Sequence, residues 1–570
     1  MTITRTLFAA SLLLAALPAQ GKPSPFRFVP ADSCFVMRMG APAAWKQQFA
    51  TAQVTKWLQG ESLGPLVGML GKSVDQGIGM LRESGKFDAD LLEKMLADYK
   101  GEIVLSLQCD FAALAETLMN GEDPPITMTL TMTPDGTFDL AALAKACEGA
   151  IDENAPPTRD LVVGDHKLRG MLDAGGDGVT VPTIIDGHFV IVGGNDVEQG
   201  LSKLLANEGR WQGNATPHAL SIDLKLGNAL SMFGKFVDEQ GGAPISVESI
   251  FKATGFTSFD AMTMTFDADG KHVVGDVQMS FGDGDRGIFA AMAGPTTAPK
   301  LLKYVPASSE SFSVSVIKLG VIYDVIAKVW GELGEAVPMT FADVEAGFAE
   351  AAKVRLKEDL IAHLGDELMM LQDPQALASG VADEEDPTAM FNGSCFGIAL
   401  RDGKAFGESL EKVIRSRGLH ASRKTEEYQG LKVHRMRLAG LVEIEYAVTD
   451  DLLLVGVGTS EDSQKALRSI LDTQKTPGDG SVPAVAKDAT AAMPAGWNGI
   501  SVTAMSGYLN GMMVGMEAAM NQSMSGVPDE MGMVMEAIKK STGELKRLGI
   551  DLMVATTYTT ANGFGTRLRW

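Results

Sequence analysis

The sequence predicts an α+β fold in two tandem copies of an antiparallel-sheet-plus-helices unit, each with a larger and a smaller lobe. Three observations predict it. Strand patterns alternate, as in Ile126, Met128, Leu130 and Met132 against Thr127, Thr129 and Thr131. A period of two buries one face of a sheet and leaves the other wet, with helices packed on the buried side. Continuous apolar runs, which a buried parallel sheet needs, are confined to 189–192 and 452–455. Finally, an opening phrase of proline, alternating strand and amphipathic helix occurs four times.

The phrase starts at Pro30, with a strand over 34–39 and a helix over 44–58. It returns at Pro217, with alternating Leu220, Ile222, Leu224 and Leu226 and a helix from Asn228. The third begins at Pro306, with Phe312, Val314 and Val316 and a helix to Leu333; the fourth at Pro494, with Ile500 and Val502 and a helix from Tyr508. The intervals of 187, 89 and 188 residues are long, short, long, which two copies of about 276 residues produce.

Other anchors keep the same order. Gly101-Glu102-Ile103 through Gln108 pairs with Gly365-Asp366-Glu367 through Gln372 at an offset of 264. An Asp135-Gly136 turn and a helix over 140–151 pair with an Asp402-Gly403 turn and a helix over 406–414. The run 189–192 with Gly193 and Gly194 pairs with 452–455, Gly456 and Gly458. Each copy closes on two strands, 262–266 with 277–281 and 552–558 with 564–568. The first copy spans 28–295, with lobes 28–206 and 217–290; the second spans 303–570, with lobes 303–475 and 493–570. Gly294-Pro-Thr-Thr-Ala-Pro299 separates them, 207–216 and 476–491 link the lobes, and 120–125 and 373–387 are surface loops. The helix over 195–205 should take the place in its copy that the helix over 460–471 takes in the other.

The 570 residues are 45% hydrophobic and 21% charged, which excludes collagen-like, disordered and disulfide-scaffold classes. With 49 basic against 72 acidic residues the net charge is −23, so a nucleic-acid partner is not expected. Arg5, the apolar stretch 7–17 and Pro18-Ala19 make residues 1–19 a signal peptide cleaved after Ala19. That stretch is too short to span a bilayer, and no later run approaches spanning length. The expectation is a soluble extracytoplasmic protein, periplasmic or secreted, with no transmembrane segment in the mature chain. The next cysteine is Cys34, so no lipid-bearing N-terminal Cys is expected.

Pro30-Ala31-Asp32 before a strand, Leu364-Gly365-Asp366-Glu367 leading into another, and the late strand–Gly–helix resemble a family of exported bacterial proteins, the domain of unknown function 3352 family. The first copy departs from it, with Lys100-Gly101-Glu102 in place of Leu-Gly-Asp. The resemblance implies export and supplies no catalytic residues.

Patterns with chemical meaning favour structural readings. Gly60-Glu61-Ser62-Leu63-Gly64 fits G-x-S-x-G, but a nucleophile elbow needs a strand before the Ser, and here a helical pattern precedes and Pro65 follows. Val455-Gly456-Val457-Gly458 resembles a dinucleotide loop, yet Glu461 and Asp462 stand where a pyrophosphate would bind. They suit a helix N-terminus instead, as Asn195 and Glu198 suit a capping box. His166, His188, His218, His272, His363, His420 and His434 form no ligand motif and read as surface or locally satisfied. Asp267-Ala-Asp269-Gly270 and Asp283-Gly-Asp285 read as hairpin turns rather than calcium loops. Cys34, Cys109, Cys147 and Cys395 lack CxxC spacing; export would permit disulfides among them, and buried free thiols suit a chain this large.

Methionine is abundant, at 31, and densest at Met512, Met513, Met516, Met520 and Met524, then Met531, Met533 and Met535. Met512, Met516 and Met520 have the spacing of a helix core face, although thioethers also suit Cu(I). Trp570 after Phe564, Thr566 and Leu568 is like a terminal barrel strand, but the many amphipathic helices argue against an outer-membrane barrel. No catalytic, cofactor or metal residue is assigned. The reading is a non-catalytic binding or envelope structural component, whose partner would be an envelope protein or an apolar ligand. The alternatives are an extracytoplasmic hydrolase with an active site assembled from distant positions, or a Met-rich copper-binding protein.

Overall fold

The alternating segment Ile126–Met132 forms a strand, but both of its faces are buried. Thr127, Thr129 and Thr131, expected to be wet, are 7%, 2% and 1% exposed. Threonine fits a pleated, packed surface through its methyl group, so the polar half of an alternation does not require water.

This computed structural model describes residues 25–65, 90–91, 94, 99–109, 111, 117, 126–149, 158–172, 178–194, 197–206, 211, 216–227, 229–239, 245–295, 297–373, 393–438, 442–457, 461–475, 477–478, 487, 490–491, 493–494, 496–511, 513–514 and 529–570. The signal-peptide segment 1–19, the acidic loop 374–387, Gly458, Met512, Met516, Met520 and Met524 lie outside them. The chain forms two compact units, one from 1–59, 64–240 and 260–279, the other from 60–63, 241–259 and 280–570.

In the first unit the strands are β1 (Phe35–Met39), β2 (Ile103–Cys109), β3 (Ile126–Met132), β4 (Thr158–Val163), β5 (His166–Leu172), β6 (Val179–Ile185), β7 (His188–Gly194), β8 (Leu220–Lys225), β9 (Phe259–Asp269) and β10 (His272–Phe281). The helices are α1 (Pro42–Ala50), α2 (Gln53–Leu58), α3 (Leu140–Gly149), α4 (Val197–Ala206) and α5 (Ala229–Glu239). The single helix expected over 44–58 is therefore two. Thr51 ends α1, its hydroxyl donating to Gln48 O at 2.9 Å and Gly270 O at 3.0 Å.

The strands pair in the order β10-β9-β8-β1-β2-β3-β7-β6-β5-β4, antiparallel from β9 through β4. Helix α3 packs Leu140 and Leu143 against Leu105, Leu130, Met132 and Phe189. Helix α4 packs Val197, Leu201 and Leu204 against Val190, Val192 and Phe28. Phe189 and Val190 are consecutive in a strand and point to opposite faces, so helices cover both faces rather than the one expected. Thr129 lies directly opposite Val192, on the face of α4, and a Cβ on Gly200 of α4 would sit 2.8 Å from the Thr127 methyl.

The second unit has strands β11 (Phe312–Val316), β12 (Leu364–Gln372), β13 (Ser394–Leu400), β14 (Lys424–Tyr428), β15 (Leu431–Leu438), β16 (Val442–Val448), β17 (Leu452–Val457), β18 (Trp497–Ala504), β19 (Leu552–Thr559) and β20 (Gly563–Arg569). Its helices are α6 (Val247–Thr254), α7 (Leu319–Leu333), α8 (Phe341–Ala352), α9 (Gly403–Ser416), α10 (Glu461–Lys475) and α11 (Asp529–Leu548). The sheet runs β20-β19-β18-β11-β12-β13-β17-β16-β15-β14, all antiparallel. Helix α10 packs Leu467, Ile470 and Leu471 on Met369, Leu371, Cys395, Leu452 and Leu454. Helix α9 packs Phe406 with Leu400 and Leu453 on the opposite face. In each unit, then, the helix after the third strand covers one face and the helix after the seventh covers the other. The fold is α+β with antiparallel sheets.

Candidate functional site

In the second unit a cleft of about 580 Å³ opens between the start of α9, the β14–β15 and β16–β17 turns and the end of α10. Its origin is visible in two helices. In α3 the Asp139 carboxylate accepts from Ala141 N and Ala142 N, both at 3.0 Å; in α9 Asp402 accepts from Ala405 N at 2.9 Å. Counting from each capping aspartate, Leu143 and Phe406 fall at one position, and both are buried. At the first and fifth positions α3 has Leu140 and Ala144, both buried, whereas α9 has Gly403 and Gly407, both lining the cleft. A Cβ on Gly403 would lie 1.9 Å from Thr449 O, so this close approach requires glycine; at Gly407 the nearest atom, Val448 Cγ1, is an ordinary 3.5 Å away. Backbone of the β16–β17 turn fills the space beside Gly403, and the space beside Gly407 is open.

The turn between β16 and β17 adds polar groups. Thr449 N–H donates to Leu452 O at 2.9 Å, leaving Asp450 and Asp451 at the tip. The Asp451 carboxylate accepts from Gln474 Nε2 at 2.9 Å and Thr449 Oγ1 at 3.3 Å, and from the Tyr304 hydroxyl. Lys303 Nζ lies 3.8 Å from it. Burial, followed by the bond to Asp451, pushes the Tyr304 phenol well above its ordinary value. Gln474 Nε2 also donates to Thr449 Oγ1 at 2.8 Å.

In the β14–β15 turn Gln429 has φ +54° and Gly430 φ +83°. The left-handed region costs a non-glycine residue about 1–2 kcal/mol, and Gln429 is held there by Asp472 of α10, which accepts from Gln429 Nε2 and, at 3.0 Å, from the Tyr428 hydroxyl. Chemically, the cleft offers lysine ammonium groups, carboxylates and amides around a small apolar floor of Leu431 and Val448.

The residues singled out by sequence lie elsewhere. Gly60-Glu61-Ser62 follows α2 as a turn, and Ser62 Oγ donates to Glu544 Oε1 at 3.0 Å. Val455 and Gly456 are inside β17, opposite Phe396 and Cys395, rather than in a phosphate loop. Glu461 is the first residue of α10. His188 is 1% exposed, Nδ1 3.1 Å from Asp186 O and its ring 4.7 Å from Phe28. His218 Nδ1 is 2.6 Å from Asp267 Oδ2, and His434 Nδ1 2.8 Å from Thr425 Oγ1. Burial, then the charge of Arg423, holds the His434 pKa down. Asp269-Gly270 does turn between β9 and β10, Gly270 at φ +59°. Asp283 and Asp285 are not in a hairpin: they follow β10, and Asp285 accepts from Gly287 N at 3.0 Å and from Lys328. The reason is that the next segment is a 3₁₀ turn, Gly287–Ala291, not a strand. All four cysteines are free thiols. Met513 is 4% exposed and Met533 53%. Among the described residues no three His, Cys, Asp or Glu side chains converge as metal ligands, and no helix is long and apolar enough to cross a membrane.

The sequence pattern did not reveal Lys404, Gly407, Asp450 or Lys475. The one available signal was a pair of glycines four apart, Gly403 and Gly407, inside a helical pattern, where glycine costs about 1 kcal/mol and needs a reason.

No protein-family model matches the chain, and no curated protein matches it. Three solved structures of TP0453, crystal forms I, III and IV, are similar over 46%, 47% and 45% of this chain and 81%, 83% and 81% of theirs. Identity is 10% and the TM-score 0.21 in each case.

Proposed function

We propose that the chain is an exported, extracytoplasmic protein built by internal duplication, whose second copy binds a small polar ligand in the α9–α10 cleft without transforming it. Export is supported by residues 1–19 and by the resemblance to the domain of unknown function 3352 family. Duplication is supported by the identical strand orders and by the matching positions of α3 with α9 and of α4 with α10. The observation that carries the binding reading is the replacement of Ala144, buried in α3, by Gly407, which lines the cleft at the matching position of α9. Removing a side chain from a helix face that its counterpart packs sacrifices burial, about 0.8 kcal/mol per CH₂, and such a loss is retained where the space is used. Binding without chemistry is supported by the Thr449 hydroxyl, which already sits in bonds with Asp451 and Gln474.

Three measurements test this. N-terminal sequencing of the exported form should begin at Gln20; an intact Met1 would overturn export. Native mass spectrometry of the protein from its own envelope should show a retained small molecule, absent from a Gly407→Leu variant that fills the cleft. Stoichiometric labelling by a broad serine-hydrolase probe, lost on replacing one serine, would favour the hydrolase instead.

A further inference from the structure

We infer that the cleft takes a short zwitterionic peptide, its carboxylate between Lys404 and Lys475 and its ammonium on Asp450. The inference rests on the cleft being a ligand site and adds the class of ligand.

Most polar groups of the cleft are already committed to one another. Asp451 accepts from Gln474, Thr449 and Tyr304, and Gln429 donates to Asp472. Three lining side chains are left: among the described residues Lys404, Lys475 and Asp450 take part in no side-chain hydrogen bond or ion pair. Their signs select the ligand. A simple anion would meet the two ammonium groups but also the Asp450 carboxylate. A simple cation would meet Asp450 but also both lysines. A neutral polyol would leave three charges unmatched. A molecule with one carboxylate and one ammonium group satisfies both signs through charge-assisted bonds, about twice as strong as neutral ones.

Size and floor narrow the class further. A volume of about 580 Å³ exceeds a single amino acid and suits a peptide of a few residues. Gly407 lets a peptide backbone approach α9 closely, and Leu431 with Val448 offers small apolar contact. Small side chains are therefore preferred.

Calorimetry on the full mature chain, with tri-alanine as probe, tests this against N-acetyl-tri-alanine and tri-alanine amide. Each capped peptide should bind about tenfold or more weakly, one charge-assisted contact being lost. The Lys404→Gln/Lys475→Gln variant should stop discriminating against the amide, and Asp450→Asn should stop discriminating against the acetylated peptide. All three positions are exposed, so circular dichroism should be unchanged. Equal binding of free and capped peptides would overturn the inference. So would a native ligand lost in Gly407→Leu that is not zwitterionic, although the binding reading would then stand. If neither a native ligand nor tri-alanine responds to Gly407→Leu, both fall.

Discussion

The Thr263 hydroxyl donates to Asp223 Oδ1 at 2.6 Å in the middle of the first unit's sheet, where Asp223 is 5% exposed. The other carboxylate oxygen has no hydrogen-bond partner among the described residues. Burial raises the Asp223 pKa; Thr263, Lys225, Arg38 and His218 offset only part of that. Asp223 lies opposite Val36 and Thr263. In the same sheet order the second unit sets Val502 opposite Phe312 and Val554, inside its main core. A buried carboxylate thus stands beside an apolar cluster in the first unit, where the second unit pairs a valine with apolar residues only. Replacing a buried polar pair by apolar groups of similar shape is often neutral or stabilising, while breaking it costs about 1–3 kcal/mol. Thr263→Val should therefore lower the urea midpoint of the first unit's unfolding, and Asp223→Val/Thr263→Val should restore or raise it. A double variant less stable than the single would show the pair to be a net stabiliser.

The pH dependence follows from the same group. A carboxyl whose folded pKa is raised favours the unfolded chain once it ionises there, so its stabilising contribution is lost as pH rises from the ordinary value of 3.8 through the raised folded value. Asp223→Asn should flatten the stability of the first unit across that window. A slope unchanged by the substitution would assign the dependence to other groups.

Glu411 has the opposite sign. Arg423 Nη2 donates to its Oε1 at 3.1 Å and Arg415 Nε at 2.7 Å. The Arg423 bond, then Arg415, against some desolvation, lowers its pKa to about 2. A depressed carboxylate stabilises the fold above the unfolded value of 4.5, and that contribution disappears as pH falls to about 2. Glu411→Gln should be less stable than the parent at neutral pH, with the difference closing through that acid window. Thermal unfolding at several pH values measures it, and a constant gap would contradict the assignment.

Element order was legible in the sequence; which way side chains point was not. The anchor at offset 264 pairs Leu107 with Leu371, yet Leu107 sits opposite Met128 on the face of α3, and Leu371 packs in the core under α10. The register of β12 on β13 shifts by two residues between Leu364 and Leu368, an irregularity that no spacing in the sequence announces. The wet face failed for a related reason: alternation reports polarity, and α4 supplied a cover that no local pattern announces. The cleft was hidden because Asp402-Gly403 reads as a turn, whereas Asp402 caps α9 and Gly403 is its first residue. Lys404, Asp450 and Lys475 come from three elements and share no spacing.

The methionine cluster separates two readings in solution. With Met516 in a core, Met516→Asp should destabilise by several kcal/mol, about the cost of an unpaired buried charge, and Met516→Leu by under about 1.5 kcal/mol. Stoichiometric Cu(I) binding abolished in Met516→Leu, with stability intact, would favour copper instead, since leucine packs like methionine but has no sulfur to donate.

Two glycines in the second unit face each other, backbone to backbone. Gly255 ends α6 at φ +85°, and a Cβ on it would lie 2.3 Å from the Arg286 carbonyl; Gly287, at φ +48°, would place a Cβ 2.2 Å from the Thr254 carbonyl. Beside this crossing Phe256 and Phe281 pack on Phe289, with ring centroids 5.2 and 4.9 Å away, and Phe281 packs on Phe564 at 5.7 Å. Alanine at either position meets a left-handed penalty of about 1–2 kcal/mol and also a collision with backbone that has no rotamer through which to yield. Gly418, at φ +69° with nothing near its missing Cβ, isolates the first cost. Gly418→Ala should therefore lose about 1–2 kcal/mol, and Gly255→Ala or Gly287→Ala clearly more. Because either substitution must part the same two strands of backbone, the double variant should cost less than the sum of the singles, a coupling expected of residues in contact. Strict additivity in denaturant titrations of the four proteins would mean that the segments yield independently and that the crossing is not shared.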